Sequence, residues 1–286
     1  LLASGSLYSE VGTTVAIDRT FFGVHRVVDA EDLGRRYLFH GSTLHGVQRT
    51  DPSRALEPTA YYHPTGPYAQ AFDELRDVSR GGVAGPQGGP RRVAVVGLGS
   101  GGMACLGEPD ELWDFYEIDP AVERIARERF TFLERCPPET SVTIGDGRLR
   151  LVEAAATYDV IALDAFSSDA IPIHLLTRDA VQAYLGRLHP NGALLFHITN
   201  RHLDLEPVLA ALAGDLGLVA LTREDYSLTP AEIADGKAPS QLVAMSRTRD
   251  GVAPLAAQRW GPLVPRDDVG VWTDDFSSIV QVFRTE

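Results

Sequence analysis

The sequence predicts an α/β protein built on a doubly wound, mostly parallel sheet, with a small N-terminal antiparallel β domain. Three observations support this fold class. From residue 92 onward, apolar strand-like runs alternate with segments of helical periodicity. The first run, 93–96, is apolar and largely β-branched, as is typical of a buried parallel strand, and it leads into a glycine-rich turn. Residues 7–48 instead hold short alternating segments between turn sequences, which favours antiparallel pairing. The main part is therefore Rossmann-like.

The individual elements follow from this periodicity and from the turns between the runs. Strands are expected at 13–17, 21–28 and 36–40, and then at 93–96, 112–118, 141–144, 160–163, 193–198 and 219–221. Helices are expected at 65–78, 120–135, 177–188 and 205–216, and two last strands, at 241–245 and 278–283, should complete an antiparallel edge. We therefore predict a β-hairpin domain over 1–60 and a Rossmann-like domain over 61–286, with a flexible Gly/Pro linker at 79–91.

The charge of the chain limits its partners. It has 26 Lys and Arg residues and 39 Asp and Glu residues, which gives a net charge of −13. Such a chain is repelled by nucleic acid and by anionic membrane surfaces, so we expect neither as a partner. A small cationic substrate is easier to accommodate.

The cysteines and histidines indicate neither a disulfide framework nor a metal site. Only Cys105 and Cys136 are present, and the eight histidines lack the spacing of metal ligands. We therefore expect no metal and a reducing, cytoplasmic environment. No apolar run is long enough to cross a bilayer, but the sequence begins at Leu1 without a methionine. The alternative is the cytoplasmic domain of a protein anchored by an upstream membrane segment.

A nucleoside site is predicted after the first strand of the main sheet. Gly97, Gly99 and Gly101 alternate in the turn, and Glu117 follows Gly97 by 20 residues, where the next strand ends. Glycines let the backbone approach a ligand closely, and an acid at this spacing can bind ribose hydroxyls. Glycine turns also occur for packing alone, but the strand, the spacing and the acid together favour the ligand.

Two more acids follow later strands. Asp146 precedes Gly147 after the third strand of the main part, and Asp164 ends the fourth. Parallel strands present their carboxyl ends to one crevice, so both acids should meet the glycine turn and Glu117 there. Asp146 could accept a hydrogen bond from an adenine amino group, or it could simply cap a helix. Asp164 could bind and deprotonate an amine, or it could form a turn at the strand end.

At these residues the chain resembles the spermidine synthase-like (polyamine aminopropyltransferase) family, which has the class I S-adenosylmethionine-dependent methyltransferase fold. The similar motifs lie at 38–48, 61–63, 96–102, 117–119, 145–147 and 164–169. The segments 163–172 and 272–277 are most similar to the spermidine synthase-like domains that are often fused to membrane segments.

The resemblance implies roles for individual residues. It implies cofactor binding by Gln48, Gly97, Gly99, Ser100, Gly101, Glu117, Ile118, Asp146 and Gly147. Tyr62 and His63 correspond to a substrate-facing pair, and Asp164, Asp169 and Tyr62 are the expected catalytic residues. We also expect a homodimer.

Three departures from the polyamine-synthesising pattern affect the chemistry. Ser100 replaces an acid that binds the amino group of the aminopropyl arm, Pro64 follows His63 where the family has Glu, and the segment from Asp164 to Asp169 is lengthened. Loss of an acid beside a bound carboxylate relieves a repulsion. We therefore expect either S-adenosylmethionine or its decarboxylated form as co-substrate.

The expected reaction moves an aminopropyl-type group to a small amine and releases methylthioadenosine. Three alternatives remain open: an S-adenosylmethionine lyase or cyclase that needs no acceptor, a small-molecule methyltransferase, and a non-catalytic nucleoside sensor. Retention of Asp164 favours an enzyme over the sensor.

Overall fold

The computed structural model describes residues 12–80, 89–166 and 172–284. Its N-terminal part is an antiparallel sheet in which each strand pairs with the next along the chain. The strands are β1 (Thr13–Thr20), β2 (Gly23–Ala30), β3 (Arg35–His40) and β4 (Thr43–Arg49). β3 and β4 form the hairpin that the family resemblance implied at 38–48. The proposed domain boundary at residue 60 stays a prediction.

The main sheet holds eight strands of the described chain. They are β5 (Arg92–Val96), β6 (Leu112–Glu117), β7 (Glu139–Ile144), β8 (Tyr158–Leu163), β9 (Leu188–His197), β10 (Val219–Asp225), β11 (Ser240–Ser246) and β12 (Gly261–Pro262). Their spatial order is β12-β10-β11-β9-β8-β5-β6-β7. The five strands from β7 to β9 in this order pair in parallel, and β10, β11 and β12 are antiparallel. The predicted fold class is confirmed.

The strand order places the ligand crevice. The chain leaves β5 toward β6 on one side and later returns to β8 on the other, so the connections diverge beyond the carboxyl ends of β5 and β8. Ligands of doubly wound sheets bind at such a switch point.

Helices cover both faces of the main sheet. They are α1 (Pro67–Arg80), α2 (Pro120–Arg129), α3 (Phe132–Arg135), α4 (Gly147–Glu153), α5 (Arg178–Leu185), α6 (Glu206–Leu216), α7 (Pro230–Asp235) and α8 (Ala253–Ala256). Alternate residues of β5 enter different cores: Val93 and Val95 pack with α1, whereas Ala94 and Val96 pack with α5 and α6. This alternation is why β5 is apolar at every position from 93 to 96.

Three sequence predictions need correction. The helix expected at 120–135 is divided into α2 and α3, because Phe130 and Thr131 leave the helical conformation. The run 278–283 is not a strand: Ile279–Val282 forms a 3-10 helix. The strand predicted at 241–245 is present as β11, but it lies inside the sheet between β10 and β9.

Of the predicted linker 79–91, residues 81–88 lie outside the described residues, and α1 extends to Arg80.

The expectation of no disulfide is also wrong. Cys105 and Cys136 are bonded to each other, although they are 31 residues apart in the sequence. Cys105 belongs to the 3-10 helix Gly102–Leu106 after the glycine turn, and Cys136 follows α3. The packing of α3 on this 3-10 helix brings them together, which no sequence spacing indicates.

Among the described helices, none combines the length and the apolar composition that a bilayer crossing requires.

Candidate active site

A cavity of about 660 Å³ lies between the N-terminal sheet and the carboxyl edge of the main sheet. This volume is within the range of roughly 300–1,000 Å³ that is typical of small-molecule sites. Eight of the predicted site residues line the cavity: Tyr62, Gly97, Gly99, Glu117, Ile118, Asp146, Gly147 and Asp164. The convergence that strand order predicted is therefore present for Gly97, Gly99, Glu117, Asp146 and Asp164.

The glycine turn forms the floor of the cavity. Gly97 and Gly99 have φ values of +102° and +55°, which favour glycine. A Cβ atom on Gly97 would lie 2.6 Å from the carbonyl oxygen of Asp164, and one on Gly99 would lie 2.4 Å from that of His45. Only glycine therefore lets the turn pass between β8 and β4.

Glu117 ends β6 with its carboxylate in the cavity wall. The amide of Leu98 donates to its Oε2 atom at 3.0 Å, and the amide of Asp119 donates to its Oε1 atom at 3.0 Å. The residue is only 8% exposed. Burial raises the pKa of Glu117, and the two amide hydrogen bonds oppose that rise. Each oxygen keeps a lone pair for a hydroxyl group in the cavity.

Asp146 has a structural role as well as a place in the cavity wall. Its carboxylate caps α4 by accepting a hydrogen bond from the amide of Leu149 at 3.0 Å, and its Oδ2 atom lies 3.3 Å from Nε2 of His174. The helix-cap interpretation is therefore correct for one oxygen. Asp146 follows β7, which pairs with β6, so together with Gly147 and Ile118 it lines the end of the cavity where Glu117 lies. We call this end the nucleoside end.

Three donors converge on Asp164 at the end of β8. The hydroxyl of Tyr62 donates to its Oδ2 atom at 2.5 Å, the hydroxyl of Tyr68 donates to Oδ1 at 3.2 Å, and Nδ1 of His197 donates to Oδ1 at 2.6 Å. Burial and the charge of Asp164 raise the pKa of both tyrosines well above the usual value, so both remain donors. A carboxylate has about four lone-pair directions, so one remains for a ligand.

His197 connects Asp164 to the next strand. Its Nε2 atom lies 2.7 Å from the hydroxyl of Thr199, which in turn accepts the amide of Gln241 at 2.8 Å. The ring is 2% exposed and packs against Tyr61 and Phe166, with centroids 4.9 and 4.8 Å away. The hydroxyl oxygen of Thr199 already accepts the hydrogen bond from Gln241, so the hydroxyl hydrogen is free to donate to Nε2 of His197. Nε2 is then an acceptor, and the ring proton of His197 is on Nδ1, facing Asp164.

Several predicted site residues lie outside the cavity wall. The amide of Gln48 donates to the carbonyl of Ala55 and, at 2.7 Å, to the hydroxyl of Thr131. His63 is buried, with Nε2 at 3.0 Å from Oδ2 of Asp235. Gly101 contacts α3.

Two further predicted site residues, Ser100 and Asp169, are not among the described residues that line the cavity. Ser100 is buried beneath β4, where a Cβ atom on Gly46 would lie 2.1 Å from its Oγ atom. Its hydroxyl has no hydrogen-bond partner among the described residues. Asp169 lies outside the described residues.

Sequence reasoning missed the contact between the two sheets at Asp119. Its Oδ2 atom accepts the hydroxyl of Thr20 at 2.6 Å and lies 2.8 Å from Nε2 of His25. Burial opposes ionisation of Asp119, but the hydrogen bonds from Thr20, Ala121 and His25 outweigh it and lower its pKa. The N-terminal sheet is thereby held over the nucleoside end.

In the described part of the chain, no group of three or more His, Cys, Asp or Glu side chains is arranged to hold a metal ion.

Comparison with known proteins gives one sequence relative and several structural ones. No family model matches the chain. A 112-residue segment is 37% identical to the polyamine aminopropyltransferase of Vibrio vulnificus, and this segment covers 37% of each chain. The chain thus spans well under half the length of this curated relative.

The structural likeness covers most of the chain. A probable spermidine synthase from Corynebacterium glutamicum superposes with a TM-score of 0.61 at 15% identity, over 94% of this chain and 98% of that one. The spermidine synthase of Thermotoga maritima gives a TM-score of 0.55 at 15% identity, over 89% of this chain and 81% of that one. The resemblance expected from the motifs is confirmed: the chain is similar to an aminopropyltransferase in sequence and has the fold of spermidine synthases.

Proposed function

We propose that this chain transfers an aminopropyl-type group from decarboxylated S-adenosylmethionine, or from S-adenosylmethionine, to a small amine and releases methylthioadenosine. One observation carries the proposal: the carboxylate of Asp164 lies in the same cavity as Glu117 and Gly97, with a lone pair left for a ligand. The segment identical at 37% to a polyamine aminopropyltransferase supports the same reaction.

The nucleoside end has the donor and acceptor set that an adenosine group needs. Glu117 presents carboxylate oxygens for two ribose hydroxyls, and Asp146 presents an oxygen for an exocyclic amino group. Gly97 and Gly99 leave the floor without side chains, so a ligand can lie against the backbone. Asp119 fixes the N-terminal sheet above it.

The sulfonium group of the donor supplies an electrophilic carbon and a thioether leaving group. The nitrogen of the acceptor forms the new bond to that carbon while the carbon–sulfur bond breaks, and its electron pair stays on sulfur. The nitrogen must first lose a proton to Asp164 or to water, since an ammonium has no lone pair. Asp164 accepts a hydrogen bond from the acceptor nitrogen and aims it at the reacting carbon. Tyr62, Tyr68 and His197 hold that carboxylate in place.

The decisive experiment uses Asp164→Asn, which keeps the shape of the site. Release of methylthioadenosine from each donor is measured with and without candidate amines. We expect turnover to fall by about 10²–10⁴ while donor affinity hardly changes. Equal release by both proteins would remove Asp164 from the reaction.

The products of the same experiment separate the alternatives. Release that needs no added amine indicates a lyase or cyclase, and adenosylhomocysteine indicates methyl transfer. Binding without any turnover indicates a sensor. A homodimer, a cytoplasmic location and an upstream membrane segment stay predictions from the sequence.

A further inference from the structure

The cavity has a second end, between β3, β4 and the segment 226–239, which we call the acceptor end. Its wall is largely apolar and aromatic, with Tyr37, Phe39, Val47, Tyr61 and Tyr226 among its residues. Four of the carboxylates in the described part of the chain line the cavity, and three of them, Glu117, Asp119 and Asp146, belong to the nucleoside end. The fourth, Asp164, lies where the two ends meet. Beyond it, no carboxylate of the described acceptor end lines the cavity: Glu232 and Asp235 of the segment 226–239 pair with Lys237 and Arg49 instead.

The acceptor end does hold a guanidinium group whose charge is not compensated. Arg35, the first residue of β3, lines the cavity and donates from Nη2 to the carbonyl oxygen of Ala234 at 2.5 Å. Its Nε atom is buried and has no hydrogen-bond partner, and no carboxylate of the described residues pairs with it.

Neighbouring cations differ from Arg35 in this respect. Lys237 also lines the cavity, but its ammonium lies 2.7 Å from Asp225 and 2.8 Å from Glu232. Arg36, the next residue of β3, is paired with Asp29 at 2.6 Å. A buried guanidinium nitrogen without a hydrogen-bond partner, such as Nε of Arg35, has lost its hydration without compensation. The missing partner of Arg35 therefore suggests an anion supplied by a ligand.

A continuous line of contacts joins Arg35 to Asp164 along the acceptor end. A Cβ atom on Gly236 would lie 3.0 Å from Cζ of Arg35, so this loop packs directly on the guanidinium. The amide of Ala60 donates to the carbonyl of Gly236 at 2.8 Å, and Tyr61 follows in the chain. The ring of Tyr61 contacts that of His197, which bonds to Asp164. Asp164 and Arg35 thus flank the acceptor end.

We propose that the acceptor is an amine that also carries a carboxylate, with the amine at Asp164 and the carboxylate at Arg35. This proposal rests on the proposed function and names its substrate class. A diamine would place its second ammonium toward Arg35, where like charges repel, whereas a carboxylate forms a charge-assisted and bidentate pair with a guanidinium. The apolar wall between the two suits the connecting carbon chain.

The test compares acceptors that differ only at the far end. Unbranched amino carboxylates of three to six carbons are assayed against diamines of matched length, with each donor, and methylthioadenosine release is measured. We expect an amino carboxylate to exceed its matched diamine by at least tenfold in kcat/KM. A diamine preference in the wild-type protein would overturn the proposal.

Variants then assign the preference to Arg35. Arg35→Met should raise the KM of the amino carboxylate by roughly 10–100-fold and leave the affinity for methylthioadenosine unchanged. Arg35→Lys should restore part of the preference, because the charge returns without the bidentate geometry. Arg19→Gln, which removes an exposed guanidinium on β1 away from the cavity, is the matched control. An unchanged KM in Arg35→Met would contradict the proposal.

A binding experiment distinguishes a wrong acceptor assignment from a wrong transfer reaction. The amino carboxylates are titrated by calorimetry into wild-type protein and Arg35→Met, each saturated with methylthioadenosine. Binding that depends on Arg35 supports the carboxylate site even if no acceptor is turned over, in which case the transfer reaction itself fails. If Arg35→Met instead weakens only intact S-adenosylmethionine and spares the decarboxylated form, the anion belongs to the donor and the acceptor assignment is wrong.

Discussion

Nδ1 of His197 lies 2.6 Å from Oδ1 of Asp164, across the carboxyl ends of two adjacent parallel strands. Both side chains are shielded from solvent, with 2% and 9% exposure. The contact joins the acid that the sequence predicted to a histidine that it did not. Because Tyr62 and Tyr68 donate to the same carboxylate, the direction in which Asp164 can receive a ligand is fixed by its protein neighbours.

We predict that His197 acts by positioning Asp164. His197→Phe fits the aromatic surroundings but removes the donor, so the carboxylate can rotate, and kcat should fall by roughly 10–100-fold. His197→Gln keeps an N–H group and should recover most of the activity. Steady-state kinetics with each variant give kcat and KM separately. A fall in donor affinity instead of kcat, or no recovery in the glutamine variant, would contradict a positioning role.

Glu117 is predicted to control nucleoside affinity. Glu117→Ala removes two hydrogen bonds to ribose hydroxyls in a buried wall and should cost about 2–4 kcal/mol of binding free energy. Calorimetric titration of methylthioadenosine measures this loss. An unchanged affinity would mean that the nucleoside does not bind at this end of the cavity.

The raised pKa of Glu117 adds a pH dependence to the same measurement. Only the ionised carboxylate can accept both hydroxyl hydrogens. Burial raises the pKa of this carboxyl above the ordinary glutamate value of about 4.3, so it is protonated at a higher pH than usual. Affinity for methylthioadenosine should therefore be highest near neutral pH and should decrease as the pH falls toward that raised pKa. Glu117→Gln should bind more weakly and show little change over the same range.

The centre of the main sheet was predictable because β5 and β8 are buried on both faces, whereas alternate residues of the edge strand β7 are exposed. Residues 93–96 and 160–163 are continuous apolar runs, and a residue of the site, Gly97 or Asp164, follows each of them. The run 278–283 looked similar but forms a 3-10 helix, since a short apolar run does not distinguish a strand from another buried segment.

The site was predictable only where strand order determines proximity. His197 could have been found in this way, because it ends the parallel strand next to β8. Considering histidines only as metal ligands hid that signal. The pair of His25 and Asp119 is 94 residues apart in the sequence and arises from the packing of the N-terminal sheet on the main sheet, for which no local pattern exists. Tyr68 on α1 is a similar case.

Ser100 leads to a prediction about donor choice. The acid that the family resemblance places at this position would exclude a carboxylate-bearing donor, and Ser100 has no charge. Intact S-adenosylmethionine should therefore bind within about tenfold of the decarboxylated form, a difference below about 1.4 kcal/mol. Ser100 is buried beneath Gly46 and outside the cavity wall, so Ser100→Ala should leave this ratio unchanged. A preference of several hundredfold for the decarboxylated form would show that another group excludes the carboxylate.

The last prediction concerns His63, which the family resemblance placed on the substrate and whose Nε2 atom lies 3.0 Å from Asp235. Hydrogen bonds from His63 and Arg49 lower the pKa of Asp235 to about 2, below its ordinary value of 3.8. A lowered carboxyl pKa stabilises the folded state above the unfolded pKa, and this stabilisation disappears as the pH falls from about 4 through 2. Asp235→Asn should therefore be less resistant to urea than the wild type at pH 6, with the difference shrinking below pH 4. Because His63 and Asp235 lie outside the cavity wall, the variant should keep the wild-type KM for the acceptor. A raised acceptor KM without a change in the urea midpoint would instead place His63 on the substrate, as its motif first indicated.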